Sequence, residues 1–307
     1  MKHYRNYFVA VLIELIKELS GLAFVEKPKY ENVNHCIVGR LVVSSREKAE
    51  KRLDRKQKAY EIEALMKNKR SEDYQVIEEV FDRSTLMTIY DLMNKGIIDE
   101  LHGVVSAGKE ARIYWGKDTQ GKELAIKIYL TSSADFKKGM IPYIEGDPRF
   151  SHVRRDTRSL IYAWAQKEFK NLRRAREAGV NVPEPLAVQK NVLIMEFVGK
   201  NGERAPLMKE TTLKDPKKVF RLLLTYLRRL YQKGDLVHAD LSEYNIMIWK
   251  DKPVIFDVAQ SVLTGHPMAD RFLRRDLENL HKYFKRQDSA IYSVDEMYEK
   301  VVSSGRK

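Results

Sequence analysis

The sequence predicts an α+β fold in two lobes: a small β-rich lobe with one long helix, then a truncated helical lobe, the two preceded by an N-terminal helical extension. Three observations predict it. Three strand candidates fall together between residues 101 and 130; a long apolar stripe at helical spacing follows over 157–178; and beyond residue 200 the helical patterns are interrupted only by a short hairpin. Strands with one helix, followed mostly by helices, is the order of a two-lobed molecule with a cleft between its parts.

The 307 residues, 43% hydrophobic and 32% charged, suffice for one large or two small domains with a real core. With a single cysteine, Cys36, neither an internal disulfide nor a C-x-x-C metal site can form, so a reducing, cytoplasmic setting is expected. Lys and Arg number 56 against 43 Asp and Glu, a net charge of +13, which favours a polyanionic partner without choosing among RNA, DNA and anionic lipid. No membrane span is expected. The most apolar stretch, residues 7–13, is closed by Glu14, whereas a spanning helix needs about 20 apolar residues.

Residues 1–43 stand apart as an extension: a helical segment ending near Gly21, a connection rich in Pro and Asn, and a strand-like run at 36–43. Residues 44–71 read as a basic helix, with ten basic and five acidic side chains from Arg46 to Arg70. Its plain reading is a solvated face, and a polyanion-binding face is the alternative. The small lobe then takes 72–195, a hinge 196–199, the helical lobe 200–287 and a C-terminal tail 288–307. Phe81, Leu86, Ile89, Leu92 and Met93 repeat at helical spacing up to Gly96. Strands follow at 101–105, 111–116 and 123–130, the last two joined by a polar connection at 117–122. Residues 131–156 are polar and contain Gly139, Pro142, Gly146 and Pro148, which predicts a long loop. A helix over 157–178 stops at Gly179, strands come at 186–189 and 191–198, and a helix spans 216–234. Two short strands, 246–249 and 254–256, flank a turn at 250–253, and helical patterning resumes at Met268.

The densest chemical signal is His238-Ala239-Asp240-Leu241-Ser242-Glu243-Tyr244-Asn245, with a second acid, Asp257, 17 residues after Asp240. It fits the kinase pattern H-x-D-L-x-x-x-N followed by a metal-binding aspartate. Phosphoryl transfer from ATP needs Mg²⁺ to neutralise phosphate charge, and that hard cation takes oxygen ligands from a few side chains. Asn245 and Asp257 offer an amide oxygen and a carboxylate, which leaves Asp240 to orient or deprotonate the attacking hydroxyl or water.

Leu124-Ala125-Ile126-Lys127 matches the V-A-I-K pattern of a kinase third strand. Alternation puts Leu124, Ile126 and Ile128 on the core face and Ala125 and Lys127 on the other, where the lysine would reach the α- and β-phosphates. In the 157–178 helix the buried stripe is Ile161, Trp164, Ala165, Phe169, Leu172 and Ala175. Glu168 falls inside that stripe, where a carboxylate without a cation is costly, so a Lys127–Glu168 pair satisfies both; Glu177 is the weaker candidate. The turn between the first two strands, with Ser106, Gly108 and Lys109, can cover phosphates with backbone N–H groups, although it is neither a Walker loop nor a G-x-G-x-x-G loop. Met195, Glu196 and Val198 stand where a strand enters a hinge. Backbone groups of Glu196 and Val198 would bond an adenine edge, with Met195 as a pocket wall, while a buried strand ending at Gly199 explains the same residues equally well.

Together these motifs resemble the first subfamily of the RIO family of atypical serine/threonine protein kinases, in its archaeal form. The resemblance rests on Ser106-Ala107-Gly108-Lys109-Glu110-Ala111, the octet from His238 to Asn245, and Asp257-Val258-Ala259-Gln260. It spans roughly residues 72–287. It implies a bilobal protein-kinase-like fold that lacks the usual activation segment and peptide-docking helices. It also implies an autophosphorylating kinase and ATPase that uses ATP with Mg²⁺, or Mn²⁺ in its place. The partner it implies is a precursor particle of the small ribosomal subunit with its rRNA, and Asp257 is implied as a covalent phosphate acceptor. Ala107 departs from the usual Thr, and Val258-Ala259 replaces the Phe-Gly of ordinary kinases. Thr131, Ser132, Ser133, Ser151 and Thr157 are candidates for autophosphorylation.

Two other readings fit parts of the pattern. A small-molecule phosphotransferase of the aminoglycoside-kinase kind shares H-x-D-x-x-x-x-N, but it needs an acidic pocket for cationic substrates, and the helix from Lys217 to Lys233 carries no acid. The other is an RNA-binding assembly factor whose cleft only senses nucleotide.

Overall fold

The computed structural model describes residues 82–131, 134–287 and 291–303. The chain divides after Arg83, and the described residues, apart from Asp82 and Arg83, belong to the second unit, Ser84–Lys307. The expected helix before Gly21, the strand at 36–43 and the basic helix at 44–71 lie outside the described residues, as do Ser132 and Ser133.

Helix α1 (Arg83–Asn94) ends at Gly96, which takes a left-handed φ of 68° and donates its N–H to Met93 O. Strands β1 (Glu100–Ala107), β2 (Ala111–Lys117) and β3 (Glu123–Tyr129) form a meander. Strands β4 (Pro185–Gln189) and β5 (Val192–Glu196) complete an antiparallel sheet in the order β1-β2-β3-β5-β4. Leu124, Ile126 and Ile128 are buried on one face as alternation requires, yet Ala125 and Lys127 are buried too, because the opposite face is covered as well.

Between β3 and the long helix the expected loop is replaced by helix α2 (Ala134–Ile144) and a 3₁₀ turn (Pro148–Phe150). Gly139 and Pro142 gave the appearance of a breaker-rich connection, but tertiary packing outweighs propensity here. Met140 is buried with Tyr129, Phe150 and Trp164, and the Tyr143 ring stacks on Phe272 at 5.2 Å. Helix α3 (Thr157–Glu177) follows, capped by Asp156, whose side chain accepts from Ser159 N at 2.9 Å. It stops as expected. Gly179 N donates to Arg176 O and Val180 N to Ala175 O, with Gly179 at a φ of 78°.

The helical part opens with a small pairing of β6 (Gly199–Lys200) and β7 (Glu203–Arg204). Helix α4 (Pro216–Gln232) starts at an Asp215 cap and buries Phe220, Leu223, Leu227 and Leu230. Strand β8 (Leu236–Val237) pairs with β11 (Val262–Leu263), and β9 (Ile246–Trp249) with β10 (Lys252–Ile255). The β9–β10 turn is tighter than the expected 250–253. Lys250 and Asp251 alone turn the chain, both at positive φ. Helix α5 (Ala269–Lys285) runs beneath, and the expected tail contains a further helix, α6 (Val294–Val302), started by a Ser293–Glu296 capping box. Met297 and Val301 seat α6 in the same core as Phe220, Leu277 and Phe284.

Candidate active site

Two segments meet because β8 and β11 pair: Val262 lies opposite Val237, so the chain just after β8 and the chain just before β11 run side by side. The first carries Asp240 and Asn245, the second Asp257. Phe256 N donates to Asn245 O at 3.1 Å and His238 Nε2 lies 3.2 Å from Phe256 O, which ties the segments together twice more. Burial pushes the imidazole pKa of His238 down to about 4. It is therefore neutral near pH 7, with its proton on Nε2, the only ring nitrogen that faces an acceptor among the described residues.

Lys127 reaches this region from β3. Its Nζ donates to Glu168 Oε1 and to Asp257 Oδ1, both at 2.8 Å, while Glu168 Oε2 accepts the hydroxyl of Tyr129. Burial acts to raise the carboxyl of Glu168, and the net direction is upward despite the lysine. Burial likewise acts against the charge of Asp257, but the neighbouring ammonium outweighs it and holds that carboxyl below the usual range. For Lys127, burial favours the neutral amine, and the two carboxylates overcome it, so its pKa is raised. Asp240 moves the other way from Asp257, raised by burial and by the negative charge of Asp257. Two neighbouring acids with opposed shifts is the pattern of divided chemical roles.

Ser106, Gly108, Lys109, Lys127, Glu168, Met195 and Asp257 all line one cleft of about 380 Å³. Asp240, Asn245, Glu196 and Val198 are not among its lining residues; Asn245 is joined to it through the bond from Phe256 N to Asn245 O, and Asp240 through the charge of Asp257. Asn245 Nδ2 donates to Asp240 O at 2.8 Å and to Asp240 Oδ2 at 3.2 Å, which fixes the amide with its oxygen turned away. At the hinge, Glu196 N is already committed to Glu184 O at 2.8 Å, so only its carbonyl remains for a ligand. The Val198 carbonyl accepts from Ala205 N, and its N–H meets no acceptor among the described residues. Glu177, the weaker partner for Lys127, points to solvent and pairs with Arg173 at 3.6 Å.

Sequence reasoning missed several residues that hold this arrangement. Asp276 of α5 is fully buried and accepts Ala239 N on one oxygen and Leu241 N on the other, each at 2.8 Å, so it grips the backbone on both sides of Asp240. Burial raises its pKa to about 7. Arg275 donates to Ala239 O, and Ala239 itself has a left-handed φ of 68°. Asn171 of α3, buried beside Glu168, donates to Val258 O at 2.8 Å. Glu110, Tyr129, Phe256 and Gln260 also line the cleft, and Gln260 Oε1 is buried there with no partner among the described residues.

The sequence pattern of the RIO domain matches residues 112–297, which hold the cleft residues from Ile113 onward, while Ser106 to Ala111 precede the match. This chain belongs to the RIO family. Its RIO relatives include the RIO-type serine/threonine-protein kinase Rio1 of Haloferax volcanii, 42% identical over 237 residues, 77% of this chain and 81% of that protein. Rio1 of Methanocaldococcus jannaschii is 43% identical over 244 residues, 78% of this chain and 81% of its own. Human serine/threonine-protein kinase RIO1 is 36% identical over 272 residues, covering 87% of this chain but 45% of the human protein. Among solved structures, a Rio2 kinase–ADP/Mg²⁺–phosphoaspartate complex from Chaetomium thermophilum superposes with a TM-score of 0.54 at 22% identity, over 72% of this chain and 67% of that one, and shows the shared fold. The chain is thus a Rio1-type member of a family of ATP-dependent serine/threonine protein kinases.

The RIO site fits a divalent cation. No described group donates to Asn245 Oδ1 or to Asp257 Oδ2, and the Asp257 side chain is 44% exposed towards the cleft. An ionised carboxylate and an amide oxygen are the hard ligands Mg²⁺ takes, with phosphate oxygens completing the set. Among the described residues no group of three His, Cys, Asp or Glu side chains gathers to hold a metal, in this cleft or outside it, and no helix is long and apolar enough to cross a membrane.

Proposed function

We propose that this RIO-family chain binds Mg²⁺·ATP in the cleft, phosphorylates itself on serine or threonine, hydrolyses ATP, and acts on a precursor of the small ribosomal subunit together with its rRNA. The observation that carries the reading is the convergence of Glu168 and Asp257 on the Lys127 ammonium, with Asp240 close enough to feel the charge of Asp257. Adenine lies over Ala125 against Met195, with the Glu196 carbonyl and the Val198 N–H on its edge. Lys127, held by Glu168, takes the α- and β-phosphates, and Ser106, Gly108 and Lys109 close over them. Asn245 and Asp257 hold Mg²⁺, or Mn²⁺ in its place, which neutralises phosphate charge.

Asp240 accepts the proton of the attacking hydroxyl as its oxygen bonds the γ-phosphorus; the bond from that phosphorus to the bridging oxygen breaks and its electron pair leaves with ADP. The raised pKa of Asp240 suits it to hold that proton. In hydrolysis the acceptor is water, either directly or after a carboxylate oxygen of Asp257 has carried the phosphoryl group. A cationic small-molecule substrate is disfavoured, since the outward face of α4 carries Lys217, Lys218, Arg221 and Arg228. The net charge of +13 suits a ribonucleoprotein partner, and we place the chain in the cytoplasm. Phosphate from γ-labelled ATP, followed by mass-spectrometric assignment of the residue that retains it, tests the chemistry; co-sedimentation with small-subunit precursors tests the partner. Absence of Mg²⁺-dependent transfer and release overturns the first, and absence of co-sedimentation the second.

A further inference from the structure

The stretch that reads as a loop in the sequence ends in a charged anchor set against the back of the Asp257 segment. Asp147 caps the 3₁₀ turn and grips Arg149 as a fork, with Oδ1 2.8 Å from Nε and Oδ2 2.6 Å from Nη2. Burial opposes the charge of Asp147, but the guanidinium holds its carboxyl below the usual range. The free arm of Arg149, Nη1, donates to Asn171 Oδ1 at 2.7 Å. Asn171 in turn donates through Nδ2 to Val258 O at 2.8 Å and Ser261 O at 3.3 Å, and Ser261 Oγ donates to His238 O at 3.1 Å.

The chemistry of this chain of contacts is directional. A buried amide can sit in either of two orientations related by a flip, and only one offers N–H to the carbonyls of Val258 and Ser261. The donor from Arg149 selects that one, because the flipped amide would oppose N–H to guanidinium and oxygen to two carbonyls. What the amide holds is a turn of the backbone: Asp257, immediately before Val258, has a φ of 57°, a left-handed conformation that is uncommon for a non-glycine residue and that a neighbouring carbonyl anchor helps to fix.

We propose that Asp147, Arg149 and Asn171 form a positioning relay through which the segment between β3 and α3 sets the backbone of Asp257, and so governs metal use without touching nucleotide. The inference rests on the reading of Asp257 and Asn245 as metal ligands. The hinge lies outside the relay, and Lys127, which meets it at Asp257, keeps Glu168 as a second partner, so loss of the relay weakens the metal response more than metal-free nucleotide binding.

Thermal-shift titration of MgCl₂ against the full chain at saturating ATP reads metal use without turnover, and ATP titration in EDTA reads nucleotide alone. Arg149→Met keeps the aliphatic stem and loses the fork. It is expected to raise the Mg²⁺ midpoint about tenfold while ATP binding in EDTA stays within twofold, and Arg149→Lys, with one donor restored, recovers part of the loss. Asn171→Asp, which keeps the shape and the bond from Arg149 but faces two carbonyls with a carboxylate, must move the midpoint the same way. An unchanged midpoint, or equal losses with and without metal, overturns the relay. A wild-type protein whose ATP response ignores Mg²⁺ overturns the metal-ligand reading itself, and the relay with it.

Discussion

Lys127 Nζ donates to Glu168 Oε1 at 2.8 Å across 41 residues of chain, with only 8% of the lysine side chain and 1% of the glutamate exposed. A charge pair so far from water is weak evidence for stability, but removing one member leaves the other uncompensated. The pair therefore reports on position: β3 and α3 must meet in one register for either charge to be tolerated.

Glu168→Ala is expected to destabilise the protein by about 3 kcal/mol, the lower end for a broken buried pair because Asp257 still faces the ammonium. Urea unfolding measures it. The Michaelis constant for ATP should rise in the folded variant, since Lys127 is then held by Asp257 alone.

Asp276→Ala orphans two N–H groups beside Asp240, and a loss of about 2–4 kcal/mol is expected from two unsatisfied buried donors. Turnover should fall as well, because those N–H groups belong to the residues on either side of Asp240. Asp276→Asn, which keeps one acceptor, should lie between wild type and Ala on both measurements. Equal behaviour of Asn and wild type would show that the second bond contributes nothing.

His238 gives a pH signature. Its folded pKa of about 4 lies below the ordinary value, so its contribution to stability is complete above the unfolded pKa of about 6.5 and is lost as pH falls towards 4. Asp276 slopes the opposite way, because a carboxyl raised to about 7 contributes stability that disappears as pH rises from the unfolded value towards 7. The clean quantity is a difference: the stability of His238→Phe relative to wild type should rise by about 3 kcal/mol from pH 7 to pH 4. A flat difference would show that folding leaves the titration of the imidazole unchanged, and would contradict its burial as a neutral ring.

Much of this site was legible in the sequence, and the misses have a common cause. Lys127, Glu168, Asp240, Asn245 and Asp257 are legible from short motifs and from a carboxylate misplaced in an apolar helical stripe; the structure joins the first two to Asp257 at one ammonium and bonds Asn245 to Asp240 on the neighbouring segment. Asp276 meets the same test, lying among Phe272, Leu273, Leu277 and Leu280, but its partners are backbone N–H groups, which no side-chain pattern announces. Helix α2 was hidden because Gly139 and Pro142 are local breakers, whereas its stability comes from Phe150, Trp164 and Phe272, distant in sequence. Lys167 and Asn171 were unread for a related reason. They face inward from α3, the amine over the Trp164 ring at 4.3 Å and the amide onto Val258, while Phe169, expected in the buried stripe, is only partly covered.

Asp240→Asn removes the proton acceptor and leaves the phosphate-binding groups in place. Turnover is expected to fall by about 10²–10⁴-fold with ATP affinity nearly unchanged. Because burial and Asp257 raise the pKa of Asp240, the acidic limb of the wild-type kcat profile should lie above the ordinary carboxylate range, as steady-state rates across pH would show.

The most direct measurement is Mg²⁺-dependent ATP turnover by purified wild type, Asp240→Ala and Asp257→Ala, each with its fold verified by its cooperative unfolding transition. Loss of turnover in both folded variants is the predicted result. Unimpaired turnover in Asp257→Ala would contradict the assignment of this cleft as the place where phosphate is transferred.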